Sequence, residues 1–490
     1  MKDMASNMIY RSSHNETGRT LAPVRSRAVT SITLASLCAL ILGMLFHVAA
    51  YGSIQPIVIG LLFLVSVMFL LSLKGISGRE ERRAYLLVYS IGWFWAGIAA
   101  LYANFLGDPF QLTNDAAVFY NDSISGTYSV NSLLPGSAFE ENVLATLIWQ
   151  FFYDLFAAIG FEKGRYIGIA VNITFVALTA VVGSRMLKIV FGRDEARIRR
   201  FTLAFAFCGV FWLFGAIHIR DAAILLAVTL LSYFWVRYLA NLRISNLLRL
   251  GVATSAALMT FNFLRTEFRF VPAAMIMAGF AALLVTKKNR GGRVKLLLAV
   301  LVMLTVAAYF VLTMRGDLSN ALMYGNESYT ALSMEETGAA DSLGNAFVTN
   351  QPLPVRLMAG FVYMLIFPIP FWVGFQLKST YYLFKSFHVI FMYALTPLFA
   401  LGVLRVIKSH LLRTPPILFL LFSFVGFTFS VAITSLETRH IGDFLPLLLV
   451  FAMVPDLTST RDRLAYRNLL ALFISAMVLV HLAWAVMKFG

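Results

Sequence analysis

Charge is what this chain has least of. Asp, Glu, Lys and Arg make up 13% of its 490 residues, about half the share found in a soluble domain. A soluble globular fold is thereby excluded. Cysteine is rarer still: Cys38 and Cys208 are the two present, each inside an apolar run, so a disulfide framework is excluded by count. No cleavable leader is expected, because the first apolar run opens near residue 29 behind a polar tail. Acidic residues are outnumbered 24 to 40 by Lys and Arg, for a net charge of +16. The excess sits in short segments between apolar runs, the pattern that orients membrane proteins. No nucleic-acid partner is expected from it.

Apolar side chains are abundant, at 59%, enough for a dozen or more membrane helices at about 20 residues per span. The expected fold is all-α: a polytopic integral membrane protein with about thirteen crossings, one or two interfacial or re-entrant helices, and two long extracytoplasmic loops. A cytoplasmic tail (1–27) precedes a single transmembrane domain (28–490). Runs at 29–50 and 54–73 make a hairpin that returns to the basic segment 74–83. A third run, 85–105, delivers the chain to an outer loop at 106–142. That loop carries no Lys or Arg but holds Asp108, Asp115 and Asp122.

The run 143–161 is apolar enough to span. Crossing there would turn the basic segments 188–200, 243–249 and 287–295 outward, against the positive-inside bias. It is therefore expected to lie in the outer interface. Spans follow at 166–189, 201–217, 222–239, 250–264, 270–285 and 294–313, leading to a second outer loop at 315–355. In the run 357–376, Pro368 and Pro370 remove two backbone donors, so a broken or re-entrant segment is expected there. Spans at 387–407, 417–434, 444–454 and 468–487 complete the chain. No internal repeat and no soluble domain is apparent.

This topology gathers the uncommon charges on the outer face. His218-Ile-Arg220-Asp221 joins two spans, Arg265-Thr-Glu267-Phe-Arg269 makes the next outer turn, and Glu437-Thr-Arg439-His440-Ile-Gly-Asp443 a later one. Ionisable groups at membrane depth are costly and usually functional. Any single turn is equally well explained by helix-end capping and by pairing of neighbours. Their repetition on one face points to a site for an anionic, hydroxyl-rich substrate. Arginine forks bind phosphate bidentately, fixed guanidinium groups stabilise the charge on a leaving phosphate, and a nearby carboxylate can take a proton from an attacking sugar hydroxyl. A divalent cation bridging carboxylate and phosphate is compatible with this chemistry, but no ligand spacing demands one.

Several of these motifs resemble those of GT-C superfamily membrane glycosyltransferases, most closely the bacterial exopolysaccharide and O-antigen polymerases (Wzy/EpsG-like). Thr113-Asn-Asp115-Ala-Ala-Val-Phe-Tyr120 is similar to the acidic first-loop motif. Ile219-Arg220-Asp221 and Phe263-Leu-Arg265-Thr-Glu267 resemble the arginine-bearing turns. Leu353-Pro-Val-Arg-Leu with Phe367-Pro-Ile-Pro-Phe-Trp resembles the second outer loop and broken helix. Thr438-Arg439-His440-Ile-Gly-Asp-Phe-Leu-Pro446 resembles the late arginine motif.

The resemblance implies sugar transfer from polyprenyl-(pyro)phosphate-linked donors at the outer face of a bacterial cytoplasmic membrane, in cell-surface polysaccharide biosynthesis. It also implies membrane lipids and other polysaccharide-assembly proteins as partners; the polar tail before the first run places the N-terminus in the cytoplasm. On the basis of the resemblance Asp115 is the candidate catalytic base. Arg220, Asp221, Arg265, Glu267, Arg269, Arg439, His440 and Tyr120 are candidates for substrate binding. The first loop shows a lone Asp115 where many relatives show paired acids, so Asp108 or Asp122 stands as an alternative base.

Other residues divide less clearly. His47, His388 and His481 lie in apolar runs and are expected to serve packing or interhelical hydrogen bonds. Asp154 either faces the site or marks the polar side of its helix. The match of Asn172-Ile-Thr to a glycosylation pattern is too short to inform. A lipid-linked glycan transporter, or a non-catalytic scaffold, stands as the alternative function.

Overall fold

The computed structural model describes residues 22–107, 114–133, 142–286, 351–366, 371–376, 379–409, 411, 414–434 and 438–489. Among these the regular structure is helical. In chain order the helices are α1 (Ala22–Tyr51), α2 (Gln55–Ser72), α3 (Arg79–Leu106), α4 (Asn114–Ser125), α5 (Val143–Ala158), α6 (Tyr166–Phe191), α7 (Glu195–Ala206), α8 (Gly209–Ala216), α9 (Asp221–Ala240) and α10 (Ile244–Leu264). They continue as α11 (Phe270–Thr286), α12 (Leu353–Ile366), α13 (Val373–Gln376), α14 (Thr380–Lys408), α15 (Pro415–Thr434), α16 (Thr438–Gly442), α17 (Leu445–Ala452) and α18 (Thr460–Phe489).

Nine of the described helices are long and apolar enough to cross a membrane, and the pair α7–α8 makes a tenth if its 58° bend is counted within one span. The chain is a membrane-embedded helical bundle. Among the described residues, several of the runs in the expected count of about thirteen crossings take another form. The run 201–217 is not one straight helix: it breaks at Phe207 and Cys208, and the indole of Trp212 donates to the Ala206 carbonyl at 2.7 Å. That bond satisfies a carbonyl which a helix end would otherwise leave bare in an apolar setting. The run 444–454 forms only the eight-residue α17, with Pro446 in its first turn, where a missing N–H costs nothing. Helix α11 has 17 residues. The expected span at 294–313, most of the second outer loop (315–350), and Pro368 and Pro370 lie outside the described residues. Helices α12 and α13 flank those prolines.

Helix α1 starts at Ala22, within the expected tail (1–27), and its apolar, span-length part is Thr33–Tyr51. The first outer loop holds a helix of its own, α4, and a 3-10 turn at Val130–Leu133. Helix α5, at 16 residues, is shorter than a span. Phe151, Leu155 and Ile159, spaced by four, are exposed while Thr146, Trp149, Tyr153 and Phe156 are buried. One face of α5 packs on the bundle, and the other exposes apolar side chains together with Asp154.

Helix α1 packs closely on α3, because Gly43 and Gly97 leave no side chain between the two backbones. Small residues permit such approaches in membrane helices, where dispersion and not water drives association. Elsewhere aromatics fill the core: Trp95 stacks on Trp212 at 4.1 Å, and Phe205 on Phe211 at 4.0 Å.

The bundle has two chemically different ends. At one, Lys188 pairs with Glu81 at 2.7 Å, Arg405 with Asp462, and both Arg200 nitrogens reach the Pro455 carbonyl at 3.1 Å. Arg185, Arg237, Arg243 and Lys408 fall at the same ends of their helices. At the other end lie the start of α9, the end of α10, the start of α5 and the helix α16.

Candidate functional site

The α8–α9 turn is the part of the site built most firmly. Asn172, buried inside α6, donates from its amide nitrogen to the carbonyls of Ile217 and Ile219, both at 3.0 Å. Its oxygen accepts from the Trp149 indole at 3.1 Å. The turn between those carbonyls would otherwise carry unpaired polar backbone into an apolar core. His218, in the middle, meets the Tyr153 hydroxyl at 3.1 Å through Nε2. Its ring sits where a side chain on Gly168 would have to be. Burial, with Arg165 next, lowers the His218 pKa to about 3, so its imidazole is neutral.

That clamp presents Arg220 and Asp221. Arg220 donates through Nη1 to the Leu264 carbonyl at 3.0 Å and to the Asn142 side-chain oxygen, and its guanidinium lies 5.8 Å from the centre of the Phe119 ring. One cation thus ties α4, α5, α9 and α10 together. Asn142 has φ +78°, alone among the described non-glycine residues in the left-handed region. Asparagine tolerates that conformation better than most residues, and such positions concentrate where function fixes the backbone.

Arg439, from α16, bridges two carboxylates brought by different helices. Its Nη1 lies 3.3 Å from Asp115 Oδ2, and its Nε lies 3.7 Å from Asp221 Oδ1. Asp221 is buried and Asp115 is half exposed. Arg265, 3% exposed, lies 5.6 Å from the Phe268 ring that follows it. His440 is also buried. Burial is the main cause lowering its pKa, and Arg265, Arg439, Arg220 and Lys385 add to the effect. Asp443 has no exposed surface. Burial is again the first cause raising its pKa well above the usual carboxylate range; Asp221 reinforces it, while Arg265, Arg439 and Arg220 oppose it.

The expected site residues therefore divide. Asp115, Asp221 and Arg439 are in direct contact, and Arg220, Arg265 and His440 share the same electrostatic neighbourhood. Tyr120 is on α4 with its hydroxyl donated to the Lys163 carbonyl at 2.7 Å and its ring edge-on to Tyr153 and His218. Glu267 and Arg269 belong to the 3-10 turn Thr266–Arg269. Asp122 is half-buried on α4, and Asp154 pairs with Lys163 at 2.6 Å, marking the polar side of α5. Asp108 and Glu437 lie outside the described residues. His388 meets Cys208 at 3.5 Å and His481 meets Tyr393 at 3.4 Å, both between helices. No group of three or more His, Cys, Asp or Glu that could hold a metal ion occurs among the described residues.

Sequence reasoning missed Asn142, Asn172 and Lys385, and gave Asp443 no role. Lys385 offered a signal, a lone cation early in a long apolar helix. It is 3% exposed, with its ammonium 4.2 Å from the Tyr381 ring centre. Asn142 and Asn172 offered none, since backbone handedness and amide clamps have no local pattern.

No protein-family model matches this chain, and no characterised protein or solved structure is detectably similar to it.

Proposed function

We propose that this end of the bundle binds the phosphate of a polyprenyl-linked sugar and transfers the sugar to an acceptor hydroxyl, at the outer face of the cytoplasmic membrane. The observation that carries this reading is Arg439, held between Asp115 and Asp221, beside Arg220 and Arg265. Guanidinium groups gathered at a membrane surface suit a phosphate whose lipid tail stays in the bilayer. In the reaction the acceptor oxygen attacks the anomeric carbon and its proton passes to the Asp115 carboxylate. The anomeric carbon–oxygen bond breaks, and the departing phosphate keeps the electron pair under the fixed positive charge.

The test is sugar transfer from a radiolabelled polyprenyl-linked donor by purified full-length protein. Asp115→Asn is expected to lower turnover by about 100-fold or more, and Arg439→Gln to weaken donor binding. Undiminished transfer by both variants at normal expression would remove the site. The bent pair α7–α8 favours a second reading, because transporters use discontinuous helices. Movement of the lipid-linked glycan across liposomes with no change in the glycan would establish it.

A further inference from the structure

Asp443 is the group whose state the reading above leaves unexplained. Its carboxyl is fully buried, and both of its oxygens lack a hydrogen-bond partner among the described residues. The residue that follows it is tightly packed: the Phe444 ring stacks on Phe427 at 4.2 Å and lies parallel to Phe268 at 5.7 Å. A bare buried carboxylate costs several kcal/mol, and a neutral acid far less.

The surroundings decide which form is held. Asp221 is the like charge that acts on it and is already engaged by Arg439. Arg220, Arg265 and Arg439 pull toward ionisation, yet burial and Asp221 outweigh them. Beyond these stand His440 and Lys385, Arg356 on the adjacent α12, and Asp115 across Arg439. A neutral carboxyl has one O–H to give, and guanidinium and ammonium groups have no acceptor for it. The Asp221 carboxylate is already paired with Arg439, which leaves an incoming phosphate oxygen as the acceptor.

We infer that Asp443 is a ligand of the phosphate anion in its neutral acid form, donating its O–H to a phosphate oxygen, so that the anion is held only while this proton is in place. The inference rests on the anion-binding half of the proposed function and is independent of sugar transfer. It adds a donor that guanidinium groups cannot supply at that position, and it couples anion affinity to pH through a single carboxyl. Anion binding in turn favours the proton, since a second negative charge beside Asp443 raises its affinity for H⁺.

The experiment measures the Kd of farnesyl phosphate for the full chain in detergent between pH 6 and 9.5, for wild type, Asp443→Asn and Asp443→Leu. Dividing each variant's Kd by the wild-type value cancels the titration of the ligand. Asn keeps a donor of the same shape and cannot ionise. It is expected to match wild type at pH 6 and to equal or exceed it as pH rises. Leu, with no donor, is expected to bind about tenfold or more weakly at pH 6, the deficit shrinking as wild type loses its proton.

A folded Asn variant that binds tenfold more weakly at every pH, or a Leu variant that binds like wild type at pH 6, overturns the inference. If wild type binds no farnesyl phosphate, the anion site and this inference fall together. If it binds but transfers no sugar, only the transferase reading falls.

Discussion

At the residue scale, the site depends on amides as much as on charges. Asn142 combines a left-handed backbone with an acceptor for Arg220. Glycine at that position would relieve the backbone, which costs a non-glycine residue about 1 kcal/mol, but would take away the acceptor. Asn142→Gly is therefore expected to change thermal stability little, the two effects opposing each other, while binding a phosphate ligand about tenfold more weakly, the worth of one hydrogen bond to a charged group. Asn142→Asp should retain binding. Equal affinity in the glycine variant would show that Arg220 needs no such support. The sequence exposed the charged members of this cluster because Arg and Asp are conspicuous among apolar residues. It hid Asn142 and Asn172 because an asparagine looks alike in a loop, a sequon and a buried clamp.

At the element scale, the long spans were legible and the breaks were not. Helices α1, α2, α3, α6, α9, α14, α15 and α18 fall where hydropathy puts them, because about 20 apolar residues have few other uses. The break at Phe207 and Cys208 lies inside an apolar run, and hydropathy cannot distinguish a bent buried helix from a straight one. The Trp212 indole that caps the break acts from the next helix over. Close contact between α1 and α3 rests on Gly43 and Gly97. A leucine at position 43 would push the two helices apart and forfeit the dispersion that joins them. Gly43→Leu should lower the melting temperature of the purified protein, with loss of folded yield, whereas Gly251→Leu, where nothing stands within 4 Å, should leave both unchanged. A Gly43→Leu protein as stable as wild type would mean that α1 is held by something else.

At the scale of the whole molecule, the positive-inside argument and the three-dimensional clustering of charges agree on which residues share an end. They do so for different reasons, one from counting Lys and Arg and one from packing. Orientation in the membrane then becomes measurable. In a Cys38→Ser background, the exposed Ser129→Cys near the site should react with an impermeant maleimide on intact cells. Arg193→Cys, at the basic end and also exposed, should react only after permeabilisation. The reverse pattern would place the arginine cluster in the cytoplasm and end the outer-leaflet reading.

The ion pair between Asp115 and Arg439 has one more consequence under the proposed chemistry. The arginine that would grasp the incoming phosphate is the same one that occupies the base while the site is empty. Arrival of the donor would therefore unmask the carboxylate in a single move. While idle, the half-exposed Asp115 would be a weaker base because of its cation partner, and hydrolysis of the lipid-linked sugar would be restrained by the order in which one side chain changes partners.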